Sequence, residues 1–387
     1  NVIATTVAAS AIAATCATML VGAWSDRART RRPFIAFGYI VWGVLTALFG
    51  VIRPGGTALA QIAAAAVAVV VLDCLMSFFG SGANDAAFGA WVTDSTVPAN
   101  RGRVEGVLAV MPLLAMLLVF GALDGLTQAG EWLLFFGIVG GVRSVDGIVD
   151  WFLIRDAGTI APPAEGYLSS VVHGLKPASV RENPRLYVLL AGWAVMGTAT
   201  QVFIPYLIIY IQRYLKIDGY AIVLASVLIL ASVISVLGGR VIDRVGKVRA
   251  ILPAVGVMIV GLVGMFFARD MLAVIVVGTV MMGGFMLSAA AFGSSVRDAT
   301  PADRVGMVQG LRMIAMVLIP MVLGPFIGAA VIVGANETYV DLGVVKQVPT
   351  PWIFAAAAIV AALTVLPMAA LRRLPAAAPE PLAEVEA

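Results

Sequence analysis

Charge is what this 387-residue chain has least of: 12% of its residues are Asp, Glu, Lys or Arg, against about 25% in an ordinary water-soluble domain. A surface so poor in charge aggregates in water but is at ease against lipid. Histidine is nearly missing. His173 is the only one and sits in a polar stretch, which excludes a zinc or haem centre built on imidazoles. The two cysteines, Cys16 and Cys74, each lie inside an apolar run, where a thiol is a small core residue and not half of a disulfide or metal pair. All four lysines (Lys176, Lys216, Lys247, Lys346) fall outside the apolar runs, so no lysine can form a buried Schiff base. The chain contains no G-x-x-x-x-G-K-[ST] loop, and nucleotide hydrolysis cannot drive it. The isoelectric point is near 9.0, yet the basic residues are scattered over short loops. No basic patch for nucleic acid results.

What is present is apolar. The hydrophobic share is 61% and there are 40 glycines, with a mean hydropathy of +1.00; small residues let membrane helices approach closely. Stretches long enough for a bilayer crossing fall at 2–22, 34–52, 58–92, 104–123, 132–154, 186–210, 220–238, 250–268, 272–296, 306–333 and 352–371. Eleven spans of an all-α polytopic membrane protein are expected, with 58–92 as one helix projecting past the membrane. Loops rich in Arg and Lys alternate without a break with sparser ones at 53–57, 124–131, 211–219, 269–271 and 334–351. The positive-inside rule then makes the C-terminus cytoplasmic and puts Asn1 outside. One more helix upstream would make twelve, so the first helix is expected to be missing from this chain. The segment 155–185, with Pro162, Pro163 and Pro177, reads as a cytoplasmic linker between bundles 1–154 and 186–374. Its stretch 167–175 is a candidate short interfacial helix, and 375–387 reads as a disordered tail.

The two bundles repeat each other. Gly22-Ala-Trp-Ser-Asp26-Arg27, followed by Arg29, Arg31 and Arg32, is matched by Gly239-Arg-Val-Ile-Asp243-Arg244-Val-Gly246-Lys247. Asp94-Ser-Thr-Val-Pro98-Ala-Asn-Arg101-Gly-Arg-Val-Glu105-Gly106 is matched by Asp298-Ala-Thr-Pro301-Ala-Asp-Arg304-Val-Gly-Met-Val-Gln309-Gly310. The offsets, 217 residues from Asp26 to Asp243 and 204 from Gly106 to Gly310, are nearly equal. That is the spacing of two duplicated halves.

The pattern Gly22, Asp26, Arg27, Arg31-Arg32 resembles the loop signature of the major facilitator superfamily, with its second-half echo at Gly239, Asp243, Arg244 and Gly246. Within it, Ser25-Asp-Arg-Ala-Arg-Thr-Arg-Arg-Pro33, Gly174–Pro184 and Val202–Gln212 look like the glycoside–pentoside–hexuronide cation symporters, the melibiose permease group. The resemblance implies two pseudo-symmetric six-helix halves, here eleven spans, working by alternating access. It makes the two loop motifs the conformational gate. It also implies that Asp85, in Asn84-Asp85-Ala-Ala-Phe88, matches the aspartate that serves the sugar and cation site. Where that group carries two cation-binding aspartates on its second helix, this chain has Ala14 and Thr18.

A charge within the bilayer costs several kcal/mol and needs a reason. Asp73 and Asp85 share one helix, 12 residues apart, and point about 120° away from each other. Arg143, Asp146 and Asp150 share one helix face, either as a self-neutralised ion cluster or as a proton or substrate relay. Arg312 either snorkels to the cytoplasm or reaches the cavity as a partner for an anionic or hydroxyl-rich solute. Gln201 and Tyr206 are candidates for bonding sugar hydroxyls, and Tyr210 reads as an interface anchor. Pro112, Pro205, Pro320 and Pro325 mark bends.

The resemblance therefore implies a monomeric, non-enzymatic carrier in the cell inner (plasma) membrane. It would move a sugar or glycoside-like small molecule by symport with H+ or Na+, and need no other cofactor. The competing expectation is a proton-coupled exporter of hydrophobic drugs or metabolites, favoured by the aliphatic spans and the two missing carboxylates. A receptor or a membrane enzyme is disfavoured, since the chain has neither an extra soluble domain nor a catalytic cluster.

Overall fold

The computed structural model describes residues 2–52, 59–108, 110–156, 174, 176–217, 219–301, 304–332, 337–341 and 344–374. Among them the chain forms eleven helical rods. The first five are α1 (Val2–Ala28), α2 (Arg32–Leu48), α3 (Leu59–Ser81, running on through Gly82–Phe88 into Gly89–Asp94), α4 (Arg101–Leu108, Met111–Leu118, Val119–Leu123 and Asp124–Gln128) and α5 (Trp132–Leu153). The other six are α6 (Pro184–Ile209 with Tyr210–Tyr214), α7 (Tyr220–Val245), α8 (Lys247–Phe267), α9 (Met271–Asp298), α10 (Val305–Met313, Ile314–Leu318 and Ile319–Ile332) and α11 (Trp352–Ala362 with Val365–Arg373). Among the described residues nine of these are long and apolar enough to cross a membrane; α1 and α4 are not among the nine, and α4 is a chain of short segments. The expected single helix at 58–92 is found as α3. Its apolar part, Ala64–Asp94, has 31 residues, about 46 Å at 1.5 Å per residue, longer than a bilayer core of about 30 Å.

The apolar surface is turned outward as well as inward. Phe326, Phe152 and Leu272 are each more than 70% exposed, which lipid tolerates and water does not. In the second half, α6 occupies the middle: Trp193 stacks on Phe292 of α9 and Phe203 packs on Phe354 of α11. The first half has a smaller core of Ile35, Tyr39, Ala83, Ala87 and Ile154.

Four rods contain π-helical turns: Gly82–Phe88, Val119–Leu123, Tyr210–Tyr214 and Ile314–Leu318. A π turn inserts a residue into the ladder and turns the following side chains to a new direction. The one in α10 has a local cause. Pro320 has no N–H to donate and its ring crowds the carbonyl of Met316, four residues earlier. Between α10 and α11 a hairpin of β1 (Thr338–Asp341) and β2 (Val344–Gln347) pairs antiparallel, with Thr338 opposite Gln347. The linker helix Pro177–Glu182 precedes α6. His173, the stretch 167–173 and the tail 375–387 lie outside the described residues.

Candidate functional site

The two loop motifs meet the opposite half. Asp26, at the end of α1, accepts hydrogen bonds from the backbone N–H groups of Gly306 (2.8 Å) and Met307 (3.1 Å). These are orphan donors of the first turn of α10, which favours a carboxylate both by hydrogen bonding and by its dipole. The second motif does the same in reverse. Asp243, near the end of α7, accepts from Gly102 and Arg103 at the start of α4, both at 2.9 Å. The glycines are needed for this approach. A Cβ on Gly22 would strike the Gly306 backbone, and one on Gly239 would press at 3.0 and 3.1 Å on the backbone of Gly102 and Arg103. Gly246, between α7 and α8, has φ +100°, a conformation that glycine adopts without strain.

The motif arginines divide. Arg31 is buried and bridges Asp26 (2.6 Å), Asp94 (3.0 Å) and the Ser25 hydroxyl (2.6 Å). Arg27 and Arg244 are exposed. On the other side Asp298 takes Arg101 of the opposite half (2.8 Å) and Lys247 of its own (2.6 Å), and Lys247 also donates to the Pro98 carbonyl. Asp156 accepts from the Thr30 hydroxyl and the Arg31 and Arg32 N–H groups, fixing the α1–α2 turn. One end of the molecule is thus sealed between the halves.

Behind the latches lies a buried charge cluster that the sequence reading did not single out. Glu105 of α4 pairs with Arg297 of α9, which also donates to the Gly89 carbonyl (2.6 Å) and the Thr93 hydroxyl. Glu105 is 7% and Arg297 4% exposed. Arg297, one residue beyond the expected span 272–296, lies in the last turn of α9 and turns into the seam. At the repeat offset of 204 residues, Glu105 corresponds to Gln309 and Arg297 to Thr93. Glu105 packs on Gly293, and Gln309 on Gly89, again 204 apart. One seam contact is ionic and its twin is neutral.

Asp85 lies on the π turn of α3. Asn84 Nδ2 donates to it at 2.9 Å, and the Tyr39 hydroxyl holds Asn84 at 2.8 Å. No cation touches it among the described residues; Arg312 acts on it through space. Arg312 does not snorkel. It stacks over Trp193 (5.1 Å to the ring centroid), donates to Gln309 Oε1 (3.1 Å) and stands 3.8 Å from Glu105.

Arg143 lies over Trp42 (4.3 Å) and Tyr39 (5.1 Å) and pairs with Asp146 at 3.5 Å. Asp150, one turn on, is within electrostatic reach of both. Tyr39, which lies under Arg143, also donates to Asn84 and so links this helix face to the Asp85 group. Asp73 has no hydrogen-bond or ion-pair partner among the described residues. The Tyr206 hydroxyl is committed to the Pro325 carbonyl (2.9 Å), and Gln201 has Gly324 against its backbone and Cβ. Both brace α6 on α10. Tyr210 corrects the expectation of an interface anchor: it is fully buried, stacked on Tyr214, with its hydroxyl unpartnered among the described residues. Its place on a π turn carries it inward.

Helical halves in repeat, latched to each other at one end around buried charges, define a membrane carrier built by duplication. Residues 1–295 match the Major Facilitator Superfamily, and the chain belongs to that family. Comparison with curated proteins finds no match. Among solved structures the fold is similar to the proton:xylose symporter XylE, at 14% identity and TM-score 0.70, covering 95% of this chain and 86% of that one. It is also similar to the human organic anion transporter MFSD10, with 16% identity, TM-score 0.64 and coverage of 95% and 82%. A bacterial homologue of the iron transporter ferroportin in its outward-facing state is comparable, at 13% identity, TM-score 0.68 and coverage of 96% and 90%. At these identities the likeness is one of fold.

Proposed function

We propose that this carrier moves a sugar or glycoside-like solute by cation symport, with Asp85 as the coupling carboxylate. The observation that carries the reading is the setting of Asp85: a carboxylate within a span, held by Asn84 and, among the described residues, touched by no cation. A charge there is costly, and a bound cation or proton removes the cost. The match of Asp85 to the melibiose permease group's aspartate and the fold likeness to a proton:xylose symporter support the sugar choice. The proton is the favoured ion. At the two positions where that group adds carboxylates stand Ala14 and Thr18, and the Thr18 hydroxyl is spent on the Ala14 carbonyl at 2.8 Å.

Reading the basic loops by the positive-inside rule places the latched end on the cytoplasmic side of a cell inner membrane, which makes the latches the inner gate of this reading. Releasing Asp26 and Asp243 from the facing helix ends lets the halves rock. The test is solid-supported-membrane recording on proteoliposomes, with sugar jumps at two pH values with and without sodium. Sugar-dependent currents that grow at low pH are expected. Asp85→Asn should abolish concentrative uptake and leave counterflow measurable; full accumulation by that variant would refute the assignment. Proton currents evoked only by lipophilic cations would instead favour an exporter of hydrophobic compounds.

A further inference from the structure

The π turn of α3 lacks the local cause found in α10. Pro320 accounts for the one there, but α3 contains no proline. Nor does the duplicated fold demand it. At the repeat offset of 204 residues the matching stretch is 286–292, and α9 passes through it as an unbroken α-helix, Met271–Asp298. In α3 the Gly89 N–H reaches back five residues to the Asn84 carbonyl. An extra residue kept in a helix without a proline is held there by whatever grips the helix on either side.

The buried grips belong to different halves. Above and within the turn, α3 packs on its own half: Gly80 on Trp42, Gly82 on Val21 and Ala83 on Gly38. Below it the opposite half takes hold. Arg297 of α9 donates to the Gly89 carbonyl (2.6 Å) and to the Thr93 hydroxyl, while its Nε pairs with Glu105. Gln309 of α10 packs on Gly89. Gly89 and Thr93 are about one and two turns below Asp85. Two ties to the same half remain there. Trp91 donates to the Arg155 carbonyl at the surface, and Asp94 pairs with Arg31, which also holds the Asp26 latch.

We propose that Arg297 is a positioning residue for Asp85, acting through this π turn. While the halves are latched, its fork keeps the extra residue in α3. When they part at this end, the fork leaves Gly89 and Thr93 and the turn closes to α. The two parts of α3 then rotate by about 100° and shift by about 1.5 Å against each other, the step of one residue. Asp85 lies inside the turn, so the hydrogen bonds that join it to Asn84 and Tyr39 are remade as the gate opens. A helix with two discrete registers is an element through which two separated sites bias each other. The inference rests on the carrier reading above for the role of Asp85; the change of register does not depend on the solute.

The first experiment therefore needs no solute. The full chain, with Cys16 and Cys74 replaced by serine, carries spin labels at Val71 above the turn and Ser95 below it, both exposed. A reference pair at Arg249 and Phe267, also exposed, spans α8, an unbroken α-helix. Distances are measured in proteoliposomes. Wild type should show one main Val71–Ser95 distance. Arg297→Lys keeps a charge for Glu105 but loses the fork, and it should add a second distance, displaced by about one residue's rise and by the swing of the label. The α8 pair should stay as it is. Should Arg297→Lys fail to insert, Glu105→Gln/Arg297→Gln, neutral on both sides, takes its place. A single unshifted distance in the variant overturns the inference, and so does an equal change in the α8 pair, which would mean general loosening.

The second experiment removes the extra residue. A chain lacking Ala86 should give one Val71–Ser95 distance with or without Arg297→Lys, and should lose proton-driven uptake of methyl hexoside. Wild-type uptake by that chain would make the turn a packing detail and overturn the link to Asp85. An intact carrier that takes up no sugar, in a protein that still shows the second distance in Arg297→Lys, sinks the sugar reading and leaves the switch standing.

Discussion

Glu105 stands against two arginines, paired with Arg297 and 3.8 Å from Arg312. Glu105→Gln leaves Arg297 and Arg312 charged in the seam without an acid in contact. Breaking a buried pair from one side costs about 3–5 kcal/mol, so the variant should show a clearly lowered melting temperature in detergent. The double variant Glu105→Gln/Arg297→Gln should recover much of that loss, because it turns the ionic contact into a neutral one like the Gln309–Gly89 side. A double variant no more stable than Glu105→Gln would count against the pair. At the surface the same chemistry matters less. Asp298 is one-third exposed, and Asp298→Asn should cost under about 1 kcal/mol.

At this scale the sequence was half legible. Asp26, Asp243 and the glycines announce themselves by repeating. Arg297 does not, because its partner lies 192 residues away and its own position falls at the ambiguous end of a span. The signal that could have found it was the repeat itself, which sets Arg297 against Thr93 and Glu105 against Gln309.

Among the elements, the first turns of α4 and α10 matter more than any whole helix. Each offers bare N–H groups to an aspartate of the other half, and each is approached by a glycine. Gly306→Leu should keep those two surfaces apart. Cysteine pairs introduced across the α1–α10 contact should then lose their cross-link while the protein still inserts; an unchanged cross-link would show that the approach is not needed. Asp26→Asn keeps the shape but weakens the charge-assisted bonds. It should lower uptake and raise labelling of cysteines on the latched face, and unchanged uptake with unchanged labelling would argue that Asp26 only sets topology. Most of the helices were legible from hydropathy, since nine of the described rods are long and apolar. The π turns were not. A π turn changes direction without changing composition, which is why Tyr210 was expected at an interface and is found in the core, and why the side chains gathered around Asp85 do not follow from helical spacing.

For the molecule as a whole, the two latches are related by the same repeat that relates the halves. Each half therefore carries one plug, an aspartate at a helix end, and one socket, a bare first turn flanked by glycine. A connector of that kind mates across the seam whether or not the two pieces are covalently joined. Cutting the gene between codons 156 and 177 and expressing both parts together should give fragments that find each other in the bilayer and co-purify. The same pair carrying Asp26→Asn and Asp243→Asn, with both plugs blunted, should co-purify far less.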